Sequence, residues 1–118
     1  MAILKVARLG HPVLRRVADT VPRAEITRPE TQRFIDDMIE TMHEYVGVGL
    51  AANQVHVSRQ IAVLECESHP RYPDMERIPL TVIVNPVLTP VSDETATDWE
   101  GCLSIPDFRG VTPRHTAV

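Results

Sequence analysis

The chain is poor in the residues that build aromatic cores, disulfide frameworks and nucleic-acid-binding surfaces. Aromatic residues are only 4% of its 118 residues, so a buried core must come mainly from Val, Ile, Leu, Met and Ala. Two cysteines are too few for a disulfide scaffold, and without a secretory segment we expect free thiols in a reducing compartment. The net charge of -4 and the scattered arginines exclude a basic stripe for nucleic acid. No apolar run approaches a membrane span.

The remaining composition is typical of a single globular domain. Hydrophobic residues make up 43% of the chain and charged residues 24%, which are ordinary values. A length of 118 residues suits one domain with a modest core.

Residues 28–45 have the pattern of an amphipathic helix. Apolar side chains recur there at helical spacing, and most acidic residues fall on the other faces. Thr27 followed by Glu30 predicts a capping box, and Pro29 suits a first helical turn. Gly47 marks the end of the helix.

Several short segments after the helix have the apolar or β-branched character of strands. A polar loop with three prolines, residues 67–79, separates the first two of them. One helix followed by several short strands predicts the α+β class. The predicted strands are residues 60–65, 80–85, 95–103 and 108–112.

Two segments carry residues that can do chemistry. Residues 47–54 read GVGLAANQ, in which paired glycines allow close backbone approach and Gln54 brings an amide that donates and accepts. Such glycines are equally consistent with an ordinary turn. Residues 100–104 read EGCLS, in which Cys102 is either a small buried apolar residue or a ligand or nucleophile. Each segment alone leaves these alternatives open.

Together the two segments resemble the first two motifs of the peptide deformylases, metal-dependent hydrolases that remove the formyl group from new protein chains. Their order and separation fit this family, and weaker similarities such as Asn85-Pro86 and Ile105-Pro106 extend the likeness along the chain. The resemblance implies an α+β fold with an N-terminal amphipathic helix, short antiparallel strands and a central metal-binding helix.

The resemblance implies catalytic roles for three residues. Cys102 is expected to be the thiolate ligand of a mononuclear metal, Fe²⁺ by family with Zn²⁺ or Ni²⁺ as alternatives, and thiolate suits such ions. Gln54 and the backbone N–H of Leu103 are expected to donate hydrogen bonds to the formyl oxygen. Two such donors stabilise the oxyanion that develops in acyl transfer.

Further residues are expected to bind substrate or to support the site. By resemblance, Val48 and Gly49 line the methionine pocket and pair with the peptide backbone, and Arg109 lies beside the peptide. Glu100 is either an ordinary strand-end charge or a partner of Arg114 that holds the thiol-bearing loop.

The third motif of the family, a helical His-Glu-x-x-His with two metal ligands and the catalytic carboxylate, is absent from these 118 residues. None of the five histidines has another four residues away, and His43-Glu44 only begins the pattern, because Gly47 replaces the second imidazole. We therefore expect residues 1–118 to form a single truncated domain that lacks the metal-binding helix, exposes apolar strand faces and binds metal weakly or not at all.

Three functional interpretations follow. The first is a deformylase, incomplete in this sequence, that acts on N-formyl-methionyl peptides in the bacterial cytoplasm, with its association with the ribosome left open. The second is a non-catalytic protein that binds the same peptides, and the third is an inactive remnant. All three predict no meaningful activity from this chain alone and no direct contact with nucleic acid or membrane.

Overall fold

The computed structural model describes residues 2–70 and 72–118, and its architecture is α+β. Met1 and Arg71, the latter within the predicted polar loop, lie outside the described residues. The predicted class and the short antiparallel strands are confirmed, whereas the incompleteness of the fold stays a prediction.

One long helix, two antiparallel sheets and short turns make up the part of the chain that the structure describes. The helices are α1 (Arg23–Ile26) and α2 (Pro29–Glu44), with 3-10 turns at Pro12–Leu14 and Ala52–Val55. The strands are β1 (Gly49–Ala51), β2 (Ile61–Cys66), β3 (Ile78–Val84), β4 (Thr95–Cys102) and β5 (Ile105–His115).

Helix α2 forms because its apolar side chains recur on one face, and that face closes the core. Ile35, Met38 and Met42 are buried on it, with Met38 and Met42 fully enclosed. The methionines therefore fill the core, as predicted.

The predicted capping box of α2 is wrong. The residue at the N-cap is Arg28, and its side chain makes no capping hydrogen bond. Thr27 instead ends the short helix α1. Pro29 starts α2 without a cap because proline has no N–H to satisfy and its φ already suits a helix.

The first sheet has the strand order β1-β2-β3 and packs against α2. Leu50 pairs with Val63 across β1 and β2, and both are buried, together with Ile61. Leu80 and Val82 on β3 remain 46% and 41% exposed, so apolar surface is left on this strand.

The second sheet is a hairpin of β4 and β5 that bends near its tip. The register runs regularly to the pair Gly101 and Arg109 and then jumps to Cys102 and Ile105. Three residues, 106–108, are therefore extra on β5. Pro106 has no N–H for a ladder bond, and Asp107 has a φ of 69°. Leu103, in the connection between the two strands, packs against the core that α2 and β1 help to form.

Apolar side chains also remain exposed on this hairpin. Trp99 pairs with Val111, and they are 57% and 55% exposed. Within residues 2–70 and 72–118, no helix has the length and apolar character needed to cross a membrane.

Candidate active site

The two motifs meet through the side chain of Gln54. The 3-10 turn after β1 carries Gln54, and its Nε2 donates to Cys102 Sγ at 3.5 Å and to Ser104 Oγ at 3.1 Å. Gln54 and Cys102 are 48 residues apart in sequence. The structure thus brings together the predicted oxyanion donor and the predicted thiolate.

The orientation of the Gln54 amide is fixed by its other end. Gln54 Oε1 accepts a hydrogen bond from the backbone N–H of Ala51 at 2.9 Å. Because the carbonyl oxygen is held there, the NH₂ group points toward Cys102 and Ser104. Ser104 is only 3% exposed, so its hydroxyl is a buried acceptor for this amide.

The N-terminal segment holds both motifs together through the backbone. The N–H of Ala7 donates to the carbonyl of Gln54 at 2.6 Å, and the N–H of Leu9 donates to the carbonyl of Ser104 at 2.8 Å. Ala7 and Leu9, two residues apart in the same segment, therefore each bind a carbonyl of a different motif. These two bonds fix the distance between the motifs.

A cleft of about 580 Å³ lies beside the thiol. Its volume lies in the range of sites that bind small ligands. Gln54 is not among the residues that line it. Five of the predicted site residues line this cleft: Val48, Gly49, Cys102, Leu103 and Arg109.

Leu103 forms part of the cleft wall and has a free backbone donor. It is the first residue of the two-residue connection between the paired positions Cys102 and Ile105. No backbone acceptor for its N–H occurs among residues 2–70 and 72–118. The N–H is therefore available for a ligand oxygen.

Glu100 and Arg114 form an ion pair on the hairpin. Arg114 Nε and one terminal N–H donate to the two carboxylate oxygens, both at 2.8 Å. This hydrogen bonding lowers the pKa of Glu100 from its ordinary value, against a smaller opposing effect of burial, and raises the pKa of Arg114. The side chains are 42% and 70% exposed, so water screens the pair. That this pair holds the thiol-bearing loop stays a prediction.

Tyr72 is a wall residue of the cleft that the sequence did not reveal. The Cζ of Arg109 lies 4.8 Å from the centre of the Tyr72 ring, in a cation–π contact. His69, in the same loop, lies 2.8 Å through Nε2 from the carbonyl of Val46 and ties the loop to the end of α2. Tyr72 belongs to the polar segment 67–79, which had no signal beyond that of a surface loop.

The described residues do not assemble a metal site. A catalytic site of this kind needs about three protein ligands. Across residues 2–70 and 72–118, no three His, Cys, Asp or Glu side chains come together in a metal-holding group. His43 is in the last turn of α2 and pairs with Glu65. Of the described residues, Cys102 alone remains as the predicted ligand.

Comparison with known proteins decides the family. Residues 3–118 match the family described as Polypeptide deformylase. The chain belongs to the polypeptide deformylase family. The resemblance inferred from the two motifs is therefore confirmed.

Individual deformylases match nearly the whole chain. Peptide deformylase 2 of Pseudomonas putida and peptide deformylase 1 of Nitrosomonas europaea are each 46% identical over 116 residues. These matches cover 98% of this chain and 65% of either relative, so the chain spans less than two thirds of their length.

A solved deformylase structure has the same fold over this region. The class I type b peptide deformylase of Acinetobacter baumannii, crystallised with Met-Ala-Ser, superposes with a TM-score of 0.92 at 37% identity. The superposition covers 97% of this chain and 72% of that one.

Proposed function

We propose that this chain forms the peptide-binding side of a peptide deformylase active site. The proposed reaction is the metal-dependent removal of the N-formyl group from formyl-methionyl peptides in the bacterial cytoplasm. The observation that carries the proposal is the contact of the Gln54 amide with the Cys102 thiol beside a peptide-sized cleft. Residues 1–118 are proposed to form one domain.

The donors around the thiol suit an acyl oxygen. Gln54 Nε2 and the N–H of Leu103 are the two proposed donors to the formyl oxygen, and two fixed donors stabilise a developing oxyanion. Gln54 has to exchange its bond to Ser104 or Cys102 for the bond to substrate. The family membership supports these roles, because both residues lie in the motifs that match the family.

The substrate peptide is proposed to lie along β1. Val48 and Gly49 line the cleft, and a strand-like peptide could pair with their backbone. The Acinetobacter structure was crystallised with Met-Ala-Ser, which supports a short peptide as the ligand of this cleft.

We further propose that residues 1–118 alone bind peptide without hydrolysing it. The family implies a metal, Fe²⁺ or alternatively Zn²⁺ or Ni²⁺, but the described residues supply one thiol at the cleft and no metal-holding group. The resident chemistry of this chain is therefore recognition of the peptide and of its formyl oxygen. This same observation keeps the non-catalytic binder as the second candidate function.

The test measures binding and turnover in one preparation. Formyl-Met-Ala-Ser is titrated into the 118-residue protein with Zn²⁺ present, heat of binding is recorded by calorimetry, and formate is assayed in the same samples. We expect saturable binding without formate, and about tenfold weaker binding to Gln54→Glu, which loses a donor worth roughly 1.4 kcal/mol. Gln32→Glu, an exposed change on α2, is the matched control and should bind normally.

Each outcome decides one part of the proposal. Catalytic release of formate by the 118-residue protein would overturn the proposal that it is inactive and would leave the site assignment intact. Absence of binding at millimolar peptide overturns the binding site itself. Equal loss in Gln54→Glu and Gln32→Glu overturns the role of the amide.

A further inference from the structure

A second groove lies between helix α2, the N-terminal segment and strand β3. Its volume is about 530 Å³, and each of the three elements contributes an apolar side chain to its lining: Ile39 from α2, Ile3 from the N-terminal segment and Leu80 from β3. None of its described lining residues lines the cleft beside Cys102. A function of this groove would therefore be additional to that of the cleft.

Hydrogen bonds between the N-terminal segment and α2 fix the walls of the groove. The N–H of Ala2 donates to Asp37 Oδ1 at 2.7 Å, and the N–H of Leu4 donates to Thr41 Oγ1 at 2.8 Å. Ile3 lies between these two anchored residues, so its side chain is held at the groove. The groove therefore exists without a ligand.

The floor of the groove belongs to a sheet face that α2 leaves partly uncovered. Val82 is the register partner of Val63, which is buried in the same core as α2. Directly opposite residues share a face of a sheet, and so do residues two apart in a strand. Val82 and Leu80 therefore lie on the face that α2 packs against, yet they are 41% and 46% exposed.

Strand β3 is also an edge of its sheet. The strand order is β1-β2-β3, and no further backbone hydrogen bond to Ile78–Val84 occurs among residues 2–70 and 72–118. Pro79, which has no N–H to donate, suits an edge strand. An unpaired edge presents the donors and acceptors with which an extended peptide can pair.

Three carboxylates form a stripe along the groove. Asp36, Glu40 and Glu44 follow one another at four-residue intervals on α2, and all three line the groove. None of them has an ion-pair partner in the described ranges 2–70 and 72–118, where the ion pairs use other carboxylates. Like charges four residues apart destabilise a helix, so a bound cation would relieve this repulsion.

Glu40 has a further unmet need within the described part of the chain. Its Oε2 atom is buried and has no hydrogen-bond partner there. A buried acceptor without a donor is unfavourable, and a donor brought by a ligand would correct this.

The charge of the groove decides which partner fits. His43 is the one basic side chain among its described lining residues, and it is already paired with Glu65. A second copy of this chain is a poor occupant, because joining two β3 edges would bring two acidic stripes to the same face of the sheet. Each chain also has a net charge of -4. The complementary partner is basic.

The spacing of the carboxylates suits an extended chain. A helix rises about 1.5 Å per residue, so side chains four residues apart lie about 6 Å apart along its axis. Alternate residues of a strand point to the same face and lie about 6.6 Å apart. Lysine and arginine have an apolar stem and a charged head, so one side chain can cover Leu80 and reach Glu40.

We propose that this groove binds an extended segment of another protein that has Lys or Arg at alternate positions. The segment pairs with the edge of β3 and places its cationic heads on Asp36, Glu40 and Glu44. This site does not depend on the proposed function, because it shares no described lining residue with the cleft beside Cys102.

The test compares three peptides by calorimetry with the 118-residue protein. They are acetyl-Lys-Thr-Lys-Thr-Lys amide, acetyl-Lys-Lys-Lys-Thr-Thr amide and acetyl-Glu-Thr-Glu-Thr-Glu amide. The first two have the same composition and charge, so they differ only in spacing. We expect the alternating lysine peptide to bind at least about threefold more tightly than the reordered one, because fewer of the reordered lysines meet a carboxylate. The acidic peptide should not bind, and raising salt from about 50 mM to about 500 mM should weaken the lysine peptides.

Variants identify the groups responsible. Glu40→Gln and Leu80→Thr should each weaken binding of the alternating lysine peptide by about threefold, through a lost charge and a lost apolar contact. Glu30→Gln is the matched control, because it makes the same change at an exposed carboxylate on α2 outside the groove. Hydrogen exchange followed by mass spectrometry should show that the bound peptide slows exchange in β3 but not in β4.

Each outcome supports or overturns a part of the inference. Equal binding of the two lysine peptides, or equal loss in Glu40→Gln and Glu30→Gln, overturns the groove as a specific site. Unchanged exchange in β3 overturns pairing with its edge. A dimer in sedimentation that Leu80→Thr abolishes would assign the groove to a second copy and overturn the basic partner.

Competition separates this inference from the proposed function. Excess formyl-Met-Ala-Ser should not displace the alternating lysine peptide, because the two sites share no described lining residue. Displacement would place the lysine peptide in the cleft beside Cys102 and overturn the second site. If formyl-Met-Ala-Ser does not bind at all while the alternating lysine peptide does, the proposed function fails and this inference stands.

Discussion

Gly47 lies so close to Leu103 that a Cβ at position 47 would fit only if the Leu103 side chain moved. A Cβ at position 47 would be 2.8 Å from Leu103 Cδ1. Glycine at position 47 therefore leaves the Leu103 side chain in its place, and its φ is not in the left-handed region. The two motifs are in direct contact through this pair.

Gly47→Ala should displace the side chain of Leu103 rather than the backbone, because the clashing atom is the end of a flexible side chain. Forcing that side chain off its rotamer should cost about 1 kcal/mol of unfolding free energy. Urea denaturation of Gly47→Ala, Leu103→Ala and the double variant measures the coupling, and the loss should be smaller in the Leu103→Ala background. Gly110→Ala is the control, since a Cβ there meets nothing within 4 Å. Equal destabilisation in both backgrounds would show that the contact is not the cause.

Ser104→Ala should lower the free energy of unfolding by about 1 kcal/mol. The buried hydroxyl accepts the Gln54 amide, and its removal costs one hydrogen bond. Ser58→Ala is the matched control, because Ser58 Oγ is buried without a partner in the described chain and its removal should be neutral or stabilising. Chemical denaturation of both variants checks this. Equal losses in the two variants would contradict the assigned role of the Gln54–Ser104 bond.

The Glu100–Arg114 pair should add stability near neutral pH that is lost in acid. The pKa of folded Glu100 lies below its ordinary value of 4.5, so the unfolded chain binds the proton more readily. The contribution is therefore complete above that value and disappears as pH falls through the lowered pKa of the folded state. Melting of the protein and of Glu100→Gln should show a small difference at pH 7 that disappears as the pH falls through the lowered pKa of Glu100, and solvent screening keeps it small. A difference that grows in acid would reverse the sign of this argument.

The fluorescence of Trp99 should show that the hairpin has an exposed apolar face. It is the one tryptophan of the chain and is 57% exposed opposite Val111. Its fluorescence should resemble that of a solvated indole and change little on unfolding, and a hydrophobic dye should bind the folded protein. Replacing both residues by threonine should reduce the dye signal. A strongly blue-shifted emission would show that another surface covers the pair.

Helix α2 and the strands β2 and β3 of the first sheet were predictable from the pattern of their apolar residues. The prediction ended the helix within a residue of Glu44 and started β2 within a residue of Ile61. The prediction missed β1 because a strand of three residues is too short to show a periodic pattern of apolar side chains. The extent of β5 was missed because Pro106 and Pro113 interrupt the pattern, and a two-stranded hairpin tolerates proline on its edges.

Of the candidate site, the sequence revealed the residues in the motifs but not their supports. Cys102 and Gln54 were recognisable because both lie in motif segments. The bonds from Ala7 and Leu9 that hold the motifs have no sequence signal, because they are made by the backbone. Tyr72 could not be found either, since a cation–π contact with Arg109 depends on how a long loop folds back.

Alkylation of Cys102 in the presence of peptide tests the central claim, that this thiol, in contact with the Gln54 amide, borders a peptide-binding cleft. Cys102 is exposed and Cys66 is buried, so mass spectrometry can follow one cysteine against an internal control. Iodoacetamide should modify Cys102 first, and formyl-Met-Ala-Ser should slow that reaction in proportion to the fraction of protein bound, with no effect on Cys66. An unchanged rate at Cys102 when the peptide is saturating would contradict the account.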